Sequence, residues 1–261
     1  MGELDGRRAL VCGSSQGIGK ACAQELARRG ATVTLVARVE EALQAAVAEL
    51  STDAGQKHGY IAADSSVPLA LQARVAAVAA RDGSFHILVN NTGGPPSGPI
   101  LDAGPEQFIA AFASHLLCNQ LLVQAILPGM RRSGYGRIIN IISTSVLLPI
   151  RGLGVSNTTR GAVANWARTV AAEVAPFGIT VNNVLPGYTD TARLGSLFEK
   201  KAERLGTTRE AIEREVIASI PMQRLGAPAE IGAVVGFLAS PAASYVTGVN
   251  LPVDGGRTAV Q

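Results

Sequence analysis

Seven short apolar runs rich in Val, Ile and Leu recur along the chain, and longer Ala-rich segments of helical period separate them. The runs are Ala9 to Cys12, Thr32 to Ala37, Gly59 to Ala63, Ile87 to Asn90, Arg137 to Ile142, Thr180 to Leu185 and Asn250 to Val253. The helical segments cover 17–29, 39–50, 68–82, 105–132, 155–176 and 228–239. Strands that are apolar throughout need helices on both faces of their sheet, and a strand–helix–strand succession makes that sheet parallel. The alternation therefore predicts an α/β fold: a doubly wound parallel sheet of about seven strands.

No composition shift, linker or repeat divides residues 1–261, so one core is expected to serve the whole chain. Two stretches break the rhythm: the Gly/Pro-rich loop from Thr92 to Gly104, and segment 188–225, whose polar helical pieces read as a mobile lid. Both leave the carboxyl ends of strands, where doubly wound sheets bind ligands, and are expected to wall a substrate pocket. A content of 47% hydrophobic and 16% charged residues, with a formal charge of +3 and no basic cluster, argues against a nucleic-acid partner. Met1 to Arg8 carries acids where a leader would be apolar, and no uninterrupted apolar run of membrane-spanning length is read, so a cytoplasmic protein without membrane contact is expected. Cys12, Cys22 and Cys118 are odd in number and widely spaced, which suits buried thiols and suggests neither disulfides nor a metal site.

Directly after the first run stands Gly13-Ser14-Ser15-Gln16-Gly17-Ile18-Gly19, leading into a helix. Glycines there allow a tight turn and close approach of a pyrophosphate, and the helix N-terminus offers unpaired N–H groups and a favourable dipole. Such a turn can also be a plain connection, but its place in the first βα unit marks a dinucleotide site. Gly13, Ser15, Gln16, Gly17, Ile18 and Gly19 are accordingly expected to bind the cofactor.

This turn resembles that of the short-chain dehydrogenase/reductase family, and the resemblance extends over essentially the whole chain. Asp64 after the third strand, Asn90-Asn91-Thr92-Gly93 after the fourth, Pro186-Gly187 with Thr191 after the sixth, and Val253-Asp254-Gly255-Gly256 near the end all fall at the family's distances. The resemblance implies a Rossmann-type single domain in which Asp64 contacts adenine, Asn90, Asn91 and Gly93 flank the adenosine ribose, and Pro186, Gly187 and Thr191 hold the nicotinamide end. Alternatively Asp64 starts a helix and the others shape turns. A carboxylate closing the second strand would bind a ribose 2′-OH, whereas here Ala37 is followed by Arg38, which suits a 2′-phosphate and favours NADP(H) over NAD(H). Arg38 could also be a solvated helix-start residue. The family further implies a homotetramer built on the long helices and the last strand.

In the family, hydride transfer is coupled to proton transfer by a tyrosine, with a lysine four residues later, a serine on the preceding strand and an asparagine in the fourth helix. Here Ser143 takes the serine position, but thirteen residues on stands Ser156, four further Arg160, and the asparagine position holds His115. A guanidinium keeps the charge and can grip the nicotinamide ribose, yet does not shuttle protons. Serine does not titrate in the useful range, and losing a positioned acid costs roughly 10²- to 10⁴-fold. His115 reads as a satisfied buried imidazole or a substitute donor, and Tyr188 as a pocket wall or a donor. His58 and His86 precede strands and take no part. The chain is thus expected to be an NADP(H)-dependent oxidoreductase resembling 3-oxoacyl-carrier-protein reductases, acting on a small carbonyl, alcohol or acyl thioester through an atypical Ser143, Ser156, Arg160, His115 centre. The alternative is a silent nucleotide-binding sensor or hetero-oligomer subunit.

Overall fold

A computed structural model describes residues 2–259. Strands β1 (Arg8–Cys12), β2 (Thr32–Ala37), β3 (Gly59–Ala62), β4 (Ile87–Asn90), β5 (Gly136–Ile141), β6 (Ile179–Pro186) and β7 (Asn250–Val253) form one sheet in the order β3-β2-β1-β4-β5-β6-β7. Every pairing is parallel. The helices are α1 (Gly17–Arg28), α2 (Glu40–Ala48), α3 (Pro68–Asp82), α4 (Pro105–Phe112), α5 (Cys118–Ser133), α6 (Gly154–Val174), α7 (Ala192–Leu205), α8 (Arg209–Ala218) and α9 (Pro228–Ala239).

Two apolar cores lie against the sheet. Cys22 and Leu26 of α1, Leu43 of α2 and Ile231 and Val235 of α9 pack with Val11, Leu35 and Val89. Leu71 and Val75 of α3, Leu122 and Ile126 of α5 and Ala171 of α6 pack with Leu10, Leu88 and Ile138. Successive strand residues contribute to opposite cores, which is why the strands are apolar throughout. After β1 the chain winds outward through β2 to β3, then returns to place β4 on the other side of β1. The crevice outside the carboxyl ends of β1 and β4 is the ligand position of such a sheet.

Three buried asparagines and a half-buried fourth lock the far half of this edge. Asn90, Asn140, Asn183 and Asn250 stand opposite one another in register on β4 to β7, and each amide nitrogen donates at 2.8 Å to the next side-chain oxygen. His58 and His86 serve strand starts, each accepting at Nδ1 from a backbone N–H, of Val33 at 3.0 Å and Arg8 at 3.1 Å. The cysteine thiols are buried and unpaired, and burial raises the pKa of each.

The structure adds detail to three of the expectations. The helix read over 105–132 is continuous but carries a π-turn at Ala113–Leu117, the local widening that often accompanies functional sites. That helix, Pro105–Ser133, is also long and apolar enough to span a membrane, with a window of mean hydropathy 1.5. Its Cys118, Leu122, Val123, Ile126 and Met130 nevertheless face the protein core. In segment 188–225, Leu194, Phe198, Ile212, Val216 and Ile220 form their own buried cluster with Tyr188 and Leu225. Thr191 and Thr208 hydroxyls cap α7 and α8.

Candidate functional site

The glycines of the turn stand where a side chain would be strained or would clash. Gly13 and Gly17 have φ of +58° and +55°, a region costly for residues with a Cβ. A Cβ on Gly19 would strike the Gly13 carbonyl oxygen, and one on Gly13 would stand 2.5 Å from the Asn91 carbonyl oxygen. Asn91 clasps the turn, its amide donating to the carbonyls of Cys12 at 3.3 Å and Gly13 at 3.1 Å. Ser14 is fully buried and ties the turn to β2: its hydroxyl donates to Val11 and accepts from the Val36 N–H at 3.0 Å. Gln16, the residue before α1, has extended backbone and its side chain does not cap the helix. The first N–H groups of α1, those after Ser15, Gln16, Gly17 and Ile18, are thus presented to the crevice, as an anionic diphosphate requires.

The rim residues fall around this cradle. Arg38 is exposed at the end of β2 and, among the described residues, is in no ion pair. Asp64 accepts from the Ser66 N–H at 2.8 Å; that bond, with the Ser66 hydroxyl and Arg38 nearby, holds its carboxyl below the usual range. A side chain on Gly93 would enter open space. Gly187 donates to Val253 at 3.0 Å, and a Cβ there would press the Asp254 backbone at 2.7 Å. Pro186 closes β6, and the Thr191 methyl lies 3.4 Å from where a Gly17 Cβ would stand, so α7 begins directly over the glycine turn. Asn90 is 3% exposed, with its amide in the asparagine row and its side-chain oxygen without a partner among the described residues.

Ser143 follows β5, and Arg160 and His115 meet at Thr92 in the loop after β4. The Ser143 hydroxyl accepts from the Ser145 N–H at 3.0 Å, which leaves its own hydrogen free to donate outward. Ser156 and Arg160 lie one turn apart on α6. Arg160 is buried; it donates from Nη1 to the Ile141 carbonyl at 3.0 Å and from Nη2 to the Thr92 carbonyl at 3.5 Å. Burial, with Arg193 nearby, brings its pKa down to about 10. His115, in the π-turn, is 2% exposed and hydrogen-bonded through Nδ1 to the Thr92 hydroxyl. Burial, then Arg160, pushes its pKa down to about 2. Tyr188 packs on Phe198 at 6.4 Å between ring centres, inside the α7–α8 cluster. A cavity of about 570 Å³ opens beside α6, lined by Ile100, Ser145, Val146, Ile150, Asn157 and Gly161.

Sequence reasoning missed Ser14, the partners Asn140, Asn183 and Asn250, and Arg193, whose Nη2 bridges from α7 to the carbonyls of Gly94 at 3.1 Å and Pro95 at 3.0 Å. The asparagines had a signal: Asn90, Asn140 and Asn183 each stand fourth in their apolar runs.

Comparison with known proteins agrees with this architecture. A family model described as enoyl-(acyl carrier protein) reductase matches residues 13–258. The short-chain reductase protein NovJ of Streptomyces niveus is 38% identical over 95% of this chain and 93% of its own length. The 3-oxoacyl-[acyl-carrier-protein] reductase FabG of Vibrio cholerae is 35% identical over 97% and 98%. Among solved structures, L-sorbose reductase from Gluconobacter frateurii, complexed with NADPH and L-sorbose, superposes with a TM-score of 0.92 at 30% identity over 99% and 98% of the two chains. An NAD+-bound xylitol dehydrogenase gives 0.90 at 29% identity over 97% and 99%. With its sheet order, glycine cradle and relatives in agreement, the chain belongs to the short-chain dehydrogenase/reductase family.

Proposed function

We propose that the protein is a short-chain oxidoreductase that takes NADP(H) in preference to NAD(H) and reduces a small carbonyl or acyl-thioester substrate. The observation that carries this reading is the glycine cradle: a turn clasped by Asn91, with glycines where a Cβ would be strained or would clash, leading into a helix whose N-terminus no side chain caps. The cradle suits a diphosphate, and Arg38, exposed just past the end of β2 and in no ion pair among the described residues although Asp64 lies close enough to feel its charge, suits an added 2′-phosphate. The bound nicotinamide would supply the hydride. Ser143 donates its free hydrogen to the substrate oxygen, and the Arg160 guanidinium supplies positive potential where negative charge grows on that oxygen. Arg160, held on two backbone carbonyls, does not deliver a proton, and neither does a His115 kept neutral, so the proton comes from water. The missing side-chain acid makes turnover slower by roughly 10²- to 10⁴-fold than a tyrosine centre would give.

A second reading is favoured by the same residues: with the phenol absent, the guanidinium engaged and the imidazole neutral, the chain serves as a silent nucleotide-binding subunit. We further place it in the cytoplasm as a homotetramer. Apolar side chains exposed along α4 and the π-turn, Ile109 and Leu117, and near β7, Tyr245 and Val249, support that assembly.

Titration with NADPH and NADH, followed by assays on acetoacetyl thioesters and simple ketones, separates the readings. The enzyme reading expects tighter NADPH binding and slow turnover that Ser143→Ala abolishes. Binding without turnover, with activity appearing in the Ser156→Tyr/Arg160→Lys double variant, establishes the silent one; no binding of either nucleotide overturns both.

A further inference from the structure

The cavity of about 570 Å³ beside α6 lies apart from the centre. On the helix it is lined by Gly154, Thr158 and Gly161, and with about 3.6 residues per turn these stand on the side of α6 away from Ser156 and Arg160. Facing them is an apolar wall from Ile100, Val146 and Ile150. Hydrogen bonds hold the walls in place. Asn157 donates to the Ile150 carbonyl at 2.9 Å and accepts from its N–H at 3.4 Å, while Gly98 donates to the Gly152 carbonyl at 2.8 Å and accepts from the Gly154 N–H at 3.3 Å.

Three observations point to an occupant. Glycine weakens a helix interior relative to alanine, yet packing does not require it at position 161, where a Cβ would meet nothing within 4 Å. What glycine supplies there is room. Ser145, 4% exposed, lines the cavity too, and its hydroxyl has no partner among the described residues, a costly state for a buried polar group. The rim is cationic: Arg151 is exposed on it, and Arg204 Nη1 would lie 3.7 Å from a Cβ on the adjoining Gly152. Neither guanidinium is in an ion pair among the described residues.

We propose that this cavity is a second ligand site, separate from the cofactor and the centre, for a compound with an apolar body and one anionic head, of the fatty-carboxylate class. The hydrocarbon lies against Ile100, Val146 and Ile150 over the space left by Gly161, and the carboxylate meets Arg151 and Arg204 at the rim. The site stands whether the centre turns over or is silent.

Decanoate, decanol and decyltrimethylammonium, each kept below micelle formation, are titrated by calorimetry into wild type, Gly161→Leu and an Arg151→Gln/Arg204→Gln double variant. Decanoate is expected to bind at least about tenfold more tightly than decyltrimethylammonium, with decanol between them. Gly161→Leu, whose side chain fills the space, weakens all three at least about tenfold while NADPH affinity stays within about twofold. The double variant removes the advantage of decanoate over decanol. Decanoate binding no tighter than the cation overturns the proposal, and so does equal binding to wild type and Gly161→Leu, which places the acid elsewhere. A wild-type oligomer that Gly161→Leu splits in sedimentation, with none of the three compounds bound, also overturns it by giving the cavity to a second copy of the chain. If Gly161→Leu fails to fold, the double variant decides alone: an undiminished preference for decanoate there refutes the assignment.

Discussion

Replacing His115 by asparagine tests whether the imidazole at the centre is held neutral. In the folded protein burial and the Arg160 charge depress its pKa to about 2, against 6.5 for a free imidazole. Above pH 6.5 both folded and unfolded chains carry it neutral, and its contribution to stability is fully present. As pH falls below 6.5 the unfolded chain takes a proton that the native one refuses. Stability then drops by about 1.4 kcal/mol per pH unit from this group alone, and stops dropping only near the folded pKa. Between pH 6.5 and pH 5 the loss is about 2 kcal/mol, a large share of the ~5–15 kcal/mol that holds a domain together. His86, whose pKa burial and Arg7 also lower, acts in the same direction but is common to both proteins. The assay is urea unfolding followed by circular dichroism at pH 7.5, 6.5, 5.5 and 5 for wild type and His115→Asn. The difference in unfolding free energy should move by about 2 kcal/mol in favour of the variant from pH 6.5 to 5. A difference that stays flat over that range means the imidazole is free to protonate, and the exclusion of His115 as a proton donor collapses with it.

Other perturbations probe the cradle, the cofactor preference and the sheet edge. Gly19→Ala forces a methyl onto the Gly13 carbonyl and should weaken NADPH at least tenfold by fluorescence titration, with a stability loss of about 1–3 kcal/mol. Arg38→Ala removes a charge-assisted contact worth about 1.5–3 kcal/mol and should cut NADPH affinity roughly ten- to a hundredfold while leaving NADH unchanged. Asn140→Leu strips the acceptor from Asn90 and the donor from Asn183, and thermal or urea unfolding should show a loss of about 2–5 kcal/mol.

Strand positions were legible in the sequence because doubly buried strands have one composition throughout, and Ile87–Asn90 coincides with its apolar run. The glycine turn was legible because its conformation leaves no choice of residue at Gly13 and Gly17. Long-range partners were not. Nothing local in Asn140 says that its amide will reach Asn183, forty-three positions away; that bond exists only once β5 and β6 are in register. Arg193 likewise reads as an exposed helix residue until the fold brings Gly94 beneath it. The α7–α8 cluster escaped notice for a related reason. The segment's polar majority stood out, but Leu194, Phe198, Ile212 and Val216 recur at helical spacing and find one another across the turn between the two helices.

The cofactor half and the centre differ in what builds them, and that difference explains how one could change without the other. The cradle is backbone: glycine φ angles, carbonyls clasped by Asn91 and the open start of α1. The centre is side chains carried on a helix, and α6 runs unbroken from Gly154 to Val174 through Ser156 and Arg160. The helix backbone runs through both positions whichever side chains they carry. Arg160 even adds a tie, its fork joining the end of β5 at Ile141 to the loop after β4 at Thr92. The same Thr92 bonds His115 through its hydroxyl, so one threonine connects both substituted side chains. Arginine at 160 and histidine at 115 are therefore coupled: the cation that Thr92 helps to hold is one of the two causes that keep the imidazole neutral. Removing the guanidinium should raise the His115 pKa, making proton donation from position 115 more available in an Arg160→Gln variant than in the native chain.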